Sequence, residues 1–222
     1  MAGQSSGRTG RPPITSRADI MAAARRLIDR DGWEKLTIRK LAAEAGVAPT
    51  TLYHHIRDKE DLLKQLLDDA ADAIERPTLP ADPRGRIIAA ATVMHAGLSE
   101  WPWLAEVLTD GDLTGDSAMW LVETIIAAAL DAGCTPPEAV ALYRAVWSYT
   151  AGEILVRANS ARRRAELGGT TYGDALVRSL DPDEYPALAG IAEQWPELTT
   201  RDWYAAGLRA LVDGTLREVG EG

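Results

Sequence analysis

From Ser16 onward, apolar residues recur at helical spacing. Ile20, Ala24, Leu27 and Ile28 follow an i, i+4, i+7, i+8 pattern that Gly32 then stops. A short second helix follows, with Thr37 as its cap, Ile38, Leu41, Ala42 and Ala45 as its apolar face and Gly46 as the residue that ends it. Pro49 suits the first turn of a third helix, with Leu52, Tyr53 and Ile56 turned inward. Asp58 caps a fourth, with Asp61 three residues on. Leu62, Leu63, Leu66, Leu67 and Ile74 line it until Pro77 breaks it near Arg76.

Residues 76–83 hold three prolines and read as a linker that ends by starting a helix, with Asp82 as N-cap and Pro83 in the first turn. The rest of the chain keeps the helical period. Thr135, Asp181 and Thr199 each stand three residues before an acidic side chain, the spacing of a capping box. The pattern predicts helices near 83–100, 104–110, 116–132, 136–165, 183–195 and 199–219, with Trp101-Pro102 separating the first two. Val and Ile runs are short and fall within stretches of period 3.6, so no strand is expected and the fold class is all-α.

Composition narrows the function classes. With 46% hydrophobic and 26% charged residues the chain falls in the range of folded soluble proteins, and no apolar run reaches the roughly 18 residues of a membrane span. The first residues lack the apolar core of a secretory signal, so the expected compartment is cytoplasmic. A single cysteine, Cys134, leaves no internal disulfide and no multi-thiolate zinc site. The formal charge of −9 argues against nucleic acid until it is resolved by position. The first 57 residues carry 10 Lys and Arg against 5 Asp and Glu, a net +5, and the remainder carries 14 against 28, a net −14. Residues 1–13 read as a flexible basic arm, whose Arg8 and Gly10-Arg11-Pro12 suit a minor groove or serve merely as a solubilising tail.

Between Thr37 and Ile56 lie two short helices joined by a glycine turn, the pattern of a helix-turn-helix. Ala48, Thr50, Thr51, His54 and His55 are left facing outward, with Arg57 and Lys59 just beyond. Small hydroxyl and imidazole groups can approach base edges, while Arg and Lys meet phosphates; the same residues also make an ordinary exposed face. Leu36-Thr37-Ile38-Arg39-Lys40-Leu41-Ala42-Ala43-Glu44-Ala45-Gly46-Val47, with Thr51-Leu52-Tyr53-His54-His55-Ile56-Arg57-Asp58-Lys59-Glu60-Asp61-Leu62-Leu63, resembles the TetR family of transcriptional repressors.

The resemblance implies a DNA-binding domain over 14–74, with its motif at 37–56, and a helical ligand-binding and dimerisation domain over 83–222. It implies that Arg39 reads a guanine edge and that Thr50 and Thr51 touch bases or methyl groups. Thr37, Tyr53, His55 and Lys59 would grip phosphates, and His54 stands where the family's tetracycline-binding members carry a bulkier aromatic, so the operator differs. Implied partners are a double-stranded, palindromic DNA operator, a second copy of the chain and a small-molecule inducer of unknown identity; no cofactor and no membrane are expected. Such a repressor would leave its operator when the inducer binds. A TetR-type activator and a helical protein-interaction adaptor are the alternatives, the adaptor leaving the third helix's hydroxyl-lined face unexplained.

For the pocket, the chain has seven Trp and six Tyr but no Phe, so its aromatic bulk comes with N–H or O–H groups. Met94, His95, Trp101, Trp103, Met119, Trp120, Tyr143 and Trp147 fall in the helices that line family pockets, or else belong to the core, and Glu123 and Glu153 are candidate polar partners. Glu75 stands where tetracycline-binding members use a histidine, and 101–103 lacks the histidine of their metal site, so no metal is expected. Helices 136–165 and 199–219 are candidates for the dimer contact. Their small residues, Ala145, Ala151, Gly152, Ala158, Ala206, Gly207, Ala210 and Gly214, would permit close approach there or inside one subunit. Arg162-Arg163-Arg164 would complement the dipole at the end of the first of these helices. No catalytic constellation is found: His54 and His55 diverge on a helix, and Cys134 has no local histidine.

Overall fold

A computed structural model of the chain describes residues 16–110, 113 and 115–220, with side chains through 217; the basic arm expected at 1–13 lies outside the described residues. All regular structure among the described residues is helical. The chain divides into two compact units between Leu66 and Leu67. The first holds α1 (Arg17–Asp31), α2 (Ile38–Ala45), α3 (Pro49–Leu52) and the first half of α4 (Lys59–Asp72). Ser16 starts α1 through a capping box: its hydroxyl accepts from the Asp19 N–H at 3.1 Å, and the Asp19 carboxylate accepts from the Ser16 N–H at 3.0 Å. Helices of eight and four residues have no stability of their own in water. Here Leu41 from α2 and Leu52 from α3 are buried, as are Ile20 and Met21 of α1, Ile56, and Leu62, Leu63 and Leu66 of α4 in the same compact unit. Each such side chain contributes roughly 1.5–3 kcal/mol on burial, which is what holds the short helices in place.

The second unit contains the rest of α4, then α5 (Pro83–Glu100), α6 (Pro102–Asp110), a 3-10 turn (Asp116–Ala118), α7 (Met119–Asp131), α8 (Pro136–Glu166), α9 (Tyr172–Arg178), α10 (Pro186–Ile191), α11 (Trp195–Thr200) and α12 (Tyr204–Gly220). Its core is built on α5, α7, α8 and α12, where Ala90, Ala91, Ala128 and Ala129 are buried beside Ile87, Ile125, Leu142, Val146 and Leu208. Tyr204 ties three of these helices together. Its buried hydroxyl donates to the Ala91 carbonyl at 3.0 Å and shares a 2.8 Å hydrogen bond with Thr150, and burial pushes its pKa up to about 12. Gly207 of α12 lets the Tyr149 ring of α8 come close: a Cβ there would overlap the Tyr149 hydroxyl oxygen. Gly207 thus serves packing inside one subunit, whereas Gly152 and Gly214 meet nothing within 4 Å.

Several boundaries differ from the sequence reading, each for a local reason. Helix α4 ends at Asp72, short of Arg76: the Ile74 N–H bonds the Ala71 carbonyl at 3.1 Å in a tighter turn, and Pro77 bars the helix from resuming. Of the expected helix over 183–195 only a short piece forms, and a separate short helix precedes the last one. Asp181 accepts from the Asp183 N–H at 2.9 Å in a turn, α10 starts only at Pro186, and Pro196 sits in the first turn of a separate α11. Thr199 and Thr200 do not cap the last helix; their hydroxyls donate back to the Trp195 and Pro196 carbonyls. Asp202 begins α12 instead, accepting from the Tyr204 N–H at 3.0 Å.

Helix α9 went unpredicted, although Thr171 and Asp174 form a full capping box at its start. Asp174 is 1% exposed and also takes both terminal nitrogens of Arg164, at 2.7 and 3.1 Å, while Arg164 donates to the Gly169 carbonyl. Arg164 is thus a clamp between α8 and α9 rather than only a complement to the α8 dipole. The guanidinium, followed by the Thr171 N–H, holds the Asp174 carboxyl at about 2. Asp174→Ala leaves that guanidinium without its carboxylate and is expected to cost about 3 kcal/mol in urea unfolding. A released aspartate titrates near 4, so the clamp is complete above about pH 4 and is lost as the pH falls toward 2. Protection of the α9 amides, taken against their intrinsic exchange rate at each pH, should fall over that interval in the native chain and be low at every pH in the variant.

Candidate nucleic-acid interface and ligand cavity

Helix α2 begins where the Thr37 hydroxyl accepts from the Lys40 N–H at 3.2 Å, so Thr37 caps the helix while staying exposed. It ends at Gly46, whose φ of +67° lies in the left-handed region, and the Val47 N–H closes the end on the Ala42 carbonyl at 3.0 Å. Pro49 then opens α3. Beyond Leu52 the backbone keeps turning, with the His55 and Ile56 N–H groups both on the Leu52 carbonyl, at 2.8 and 2.9 Å.

This geometry sorts the side chains. Leu52 and Ile56 are buried, but Tyr53, expected inward on the helical pattern, is 58% exposed. The cause is the shortness of α3, a single turn that can bury only one narrow edge. Arg39, Thr50, Tyr53 and His54 are exposed, while Thr51 and His55 are half-buried. Asp58 caps α4 by accepting from the Asp61 N–H at 2.8 Å. The Asp61 carboxylate in turn accepts from the Arg57 N–H at 2.8 Å, chiefly for which reason its pKa is lowered. Lys59, the first residue of α4, is held from outside its helix: its ammonium donates to the Glu34 carbonyl at 3.0 Å and lies 5.1 Å from the centre of the Trp33 ring.

The second unit encloses a cavity of about 300 Å³, at the small end of the range for ligand sites. Four of the eight residues expected to bind a ligand lie on its wall: Met94 from α5, Met119 from α7, and Tyr143 and Trp147 from α8. The other four do not. His95 stacks on the Tyr204 ring at 3.7 Å and hydrogen-bonds Glu153 at 2.7 Å, and Glu153 also accepts from Arg157, so both residues serve the packing of α5, α8 and α12. Trp101 caps the end of α5, and Trp120 packs against the core with the Arg76 guanidinium 5.0 Å from its ring. Trp103 buries its indole N–H without a partner among the described residues. Glu123 is exposed.

The wall also holds residues that the sequence reading missed, among them Leu98 of α5, Leu104 and Leu108 of α6 and Val122 of α7. Leu67, Ala70 and Ala71 in the second half of α4, and Ile74 just beyond it, line the cavity, as does Arg144. The i, i+4 spacing of Tyr143 and Trp147 was visible in the sequence; that Arg144 shares their wall was not. Among the described residues no group of three His, Cys, Asp or Glu could hold a metal ion. Cys134 is buried, and burial pushes its thiol pKa up, away from the reactive thiolate. Among the described residues no helix is long and apolar enough to cross a membrane.

Residues 20–66 match the model of the bacterial regulatory proteins of the tetR family, and residues 76–219 match that of the tetracyclin repressor-like C-terminal domain. The chain is 34% identical over 180 residues to an HTH-type transcriptional regulator of Saccharopolyspora erythraea, covering 80% of this chain and 75% of that one. It is 28% identical over 215 residues to the HTH-type transcriptional repressor DrrR1 of Streptomyces coeruleorubidus, covering 92% and 78%. Among solved structures, a TetR transcriptional regulator of Streptomyces coelicolor superimposes with a TM-score of 0.68 at 27% identity, over 91% of this chain and 98% of that one. The Streptomyces coelicolor protein ActR in complex with actinorhodin gives 0.71 at 21% identity, over 95% and 99%, a likeness of fold. Gly46 supplies a test of the turn on which the interface depends. A Cβ there meets nothing within 4 Å, so Gly46→Ala is strained only through its backbone. It is expected to cost about 1 kcal/mol in chemical denaturation.

Proposed function

This chain belongs to the TetR family of bacterial regulatory proteins, and on that premise we propose that it is a ligand-responsive transcriptional repressor. It binds a palindromic operator as a homodimer and leaves it when a small apolar or aromatic inducer fills the cavity. The observation that carries this reading is α4. Its first residue is Lys59, held beside Trp33 and Glu34, and its later turns present Leu67, Ala70 and Ala71 to the cavity. An occupant that displaces those residues acts on the same continuous helix that fixes a phosphate-binding cation. A two-fold dimer would set two reading heads about 34–36 Å apart, one helical turn of DNA. A ligand that binds the off-register dimer better shifts the population away from the operator.

In this proposal α3 enters the major groove. Arg39 contacts a guanine edge, exposed Thr50 and half-buried Thr51 contact bases, and His54 lies over the operator's variable positions. Thr37, Tyr53, His55 and Lys59 take phosphates, Lys59 with the positive end of α4 beside it. For the dimer, exposed Val140, Gly152 and Val156 on α8 and exposed Ala206 and Ala210 with half-buried Gly214 on α12 replace the earlier set, in which Ala151 is buried and Gly207 packs on Tyr149. The relatives support regulation of transcription, which is not an enzymatic activity. Of the eight cavity residues expected from sequence, Met94, Met119, Tyr143 and Trp147 remain in the proposed ligand site, and His95, Trp101, Trp103 and Trp120 leave it.

Arg39→Ala is the direct test. Fluorescence anisotropy against an operator selected from random DNA should show a loss of about 1–3 kcal/mol, roughly five- to 150-fold in Kd, with nonspecific binding nearly unchanged. An unaltered Kd removes Arg39 from the reading face and the recognition scheme with it.

A further inference from the structure

Among the described residues, three side chains on the cavity wall carry nitrogen or oxygen: Tyr143, Arg144 and Trp147. All three fall within one turn and a half of α8, whereas α4, α5, α6 and α7 contribute hydrocarbon and methionine sulfur. A guanidinium and an indole N–H can only donate hydrogen bonds, and a phenol donates or accepts. Among the described residues of the wall there is no carboxylate to receive them. Farther along α8, Arg157, Arg163 and Arg164 are each ion-paired, but Arg144 has no carboxylate partner among the described residues. Burial raises the Tyr143 pKa, so its hydroxyl keeps its proton. The cavity therefore has an apolar body and one pole of hydrogen-bond donors with a positive charge.

We propose that the occupant of this cavity is an apolar or aromatic molecule with an anionic oxygen head, such as a carboxylate, seated on Arg144 and Tyr143. This inference rests on the ligand-cavity reading above and adds the chemistry of the ligand. A wholly apolar occupant would leave the Tyr143 and Trp147 donors without acceptors, and a cationic one would meet Arg144 with like charge. The exposed position of Arg144 lets the head keep part of its hydration, so the charge need not be fully desolvated.

Matched probe pairs test the head separately from the body. 2-Naphthoate with 2-naphthamide, and anthraquinone-2-carboxylate with its carboxamide, are titrated into the full chain by tryptophan fluorescence and calorimetry. Each acid is expected to bind about tenfold more tightly than its amide, the scale of one charge-assisted hydrogen bond. Arg144→Gln should remove that advantage, weakening the acids about tenfold and leaving the amides unchanged; Arg144→Lys should restore part of it. Because Arg144 is exposed and without a carboxylate partner, the Gln variant should melt within a degree or two of the parent, which circular dichroism checks. Ala70→Phe, which fills the cavity from α4, should abolish binding of every probe. Equal binding of acid and amide, or an acid advantage that survives Arg144→Gln, overturns the anionic head while the Ala70→Phe result upholds the cavity. Absence of binding by all four probes, or binding indifferent to Ala70→Phe, overturns the cavity reading and the head with it.

Discussion

One helix has to satisfy two different apolar surroundings in succession, and most of the molecule is arranged around that requirement. Over its first turns α4 buries Leu62, Leu63 and Leu66 in the compact unit that also holds α2 and α3. From Leu67 onward it faces residues of the second unit, where the Asp68 carboxylate accepts from the Ser117 N–H at 3.1 Å and lies against Gly115. Without the first burial the two short helices keep only their packing on α1 and on each other; without the second the cavity loses a wall. The two ends of α4 are fixed by local chemistry: Asp58 caps the start, and beyond the end Pro77 bars the helix from resuming.

Electrostatics divides along the same line. The positive excess of the first 57 residues is carried partly by side chains already engaged at home, such as Arg26 and Arg30 with Glu44. These exposed pairs add little to stability. Arg39 and Lys40 remain on the outside of α2. In the second unit the strong polar contacts are internal ties: Arg164 with Asp174, Tyr204 with Thr150 and Ala91, and His95 with Glu153. The first of these is a buried ion pair in which each partner is needed to keep the other from being an isolated charge.

The first four helices could be read from sequence because their punctuation is local. Ser16, Thr37, Gly46, Pro49 and Asp58 each act within four residues of themselves, and each does in the structure what its type favours. The exposed face of α3 was legible for the same reason at Thr50 and His54; Thr51 and His55 are half-buried, and Tyr53 is exposed because one turn of helix could not bury what a longer one would. Beyond residue 165 the reading failed where competing local signals overlap. Asp181 makes a turn instead of a cap, Thr199 and Thr200 bond backward instead of forward, and the box at Thr171 was passed over between two glycines and a loop. Membership of the cavity was half legible. Residue type says that Trp101, Trp103 and Trp120 are large and amphipathic, but which side of a helix a neighbour covers is a tertiary fact. The apolar residues of α4 looked like ordinary core for the same reason.

The grouping of Tyr143, Arg144 and Trp147 on one short stretch of α8 has an evolutionary meaning if they do define the ligand's head. Choice of ligand would then be encoded at three positions on a helix whose buried side is held by other residues, Leu142, Val146 and Ile154. Substitutions there could exchange one class of signal for another without disturbing α4 or the caps that place α3. A lineage could thus inherit the reading head unchanged and acquire a new chemical sense through a few codons, each change tolerable to the fold before it became useful to the cell.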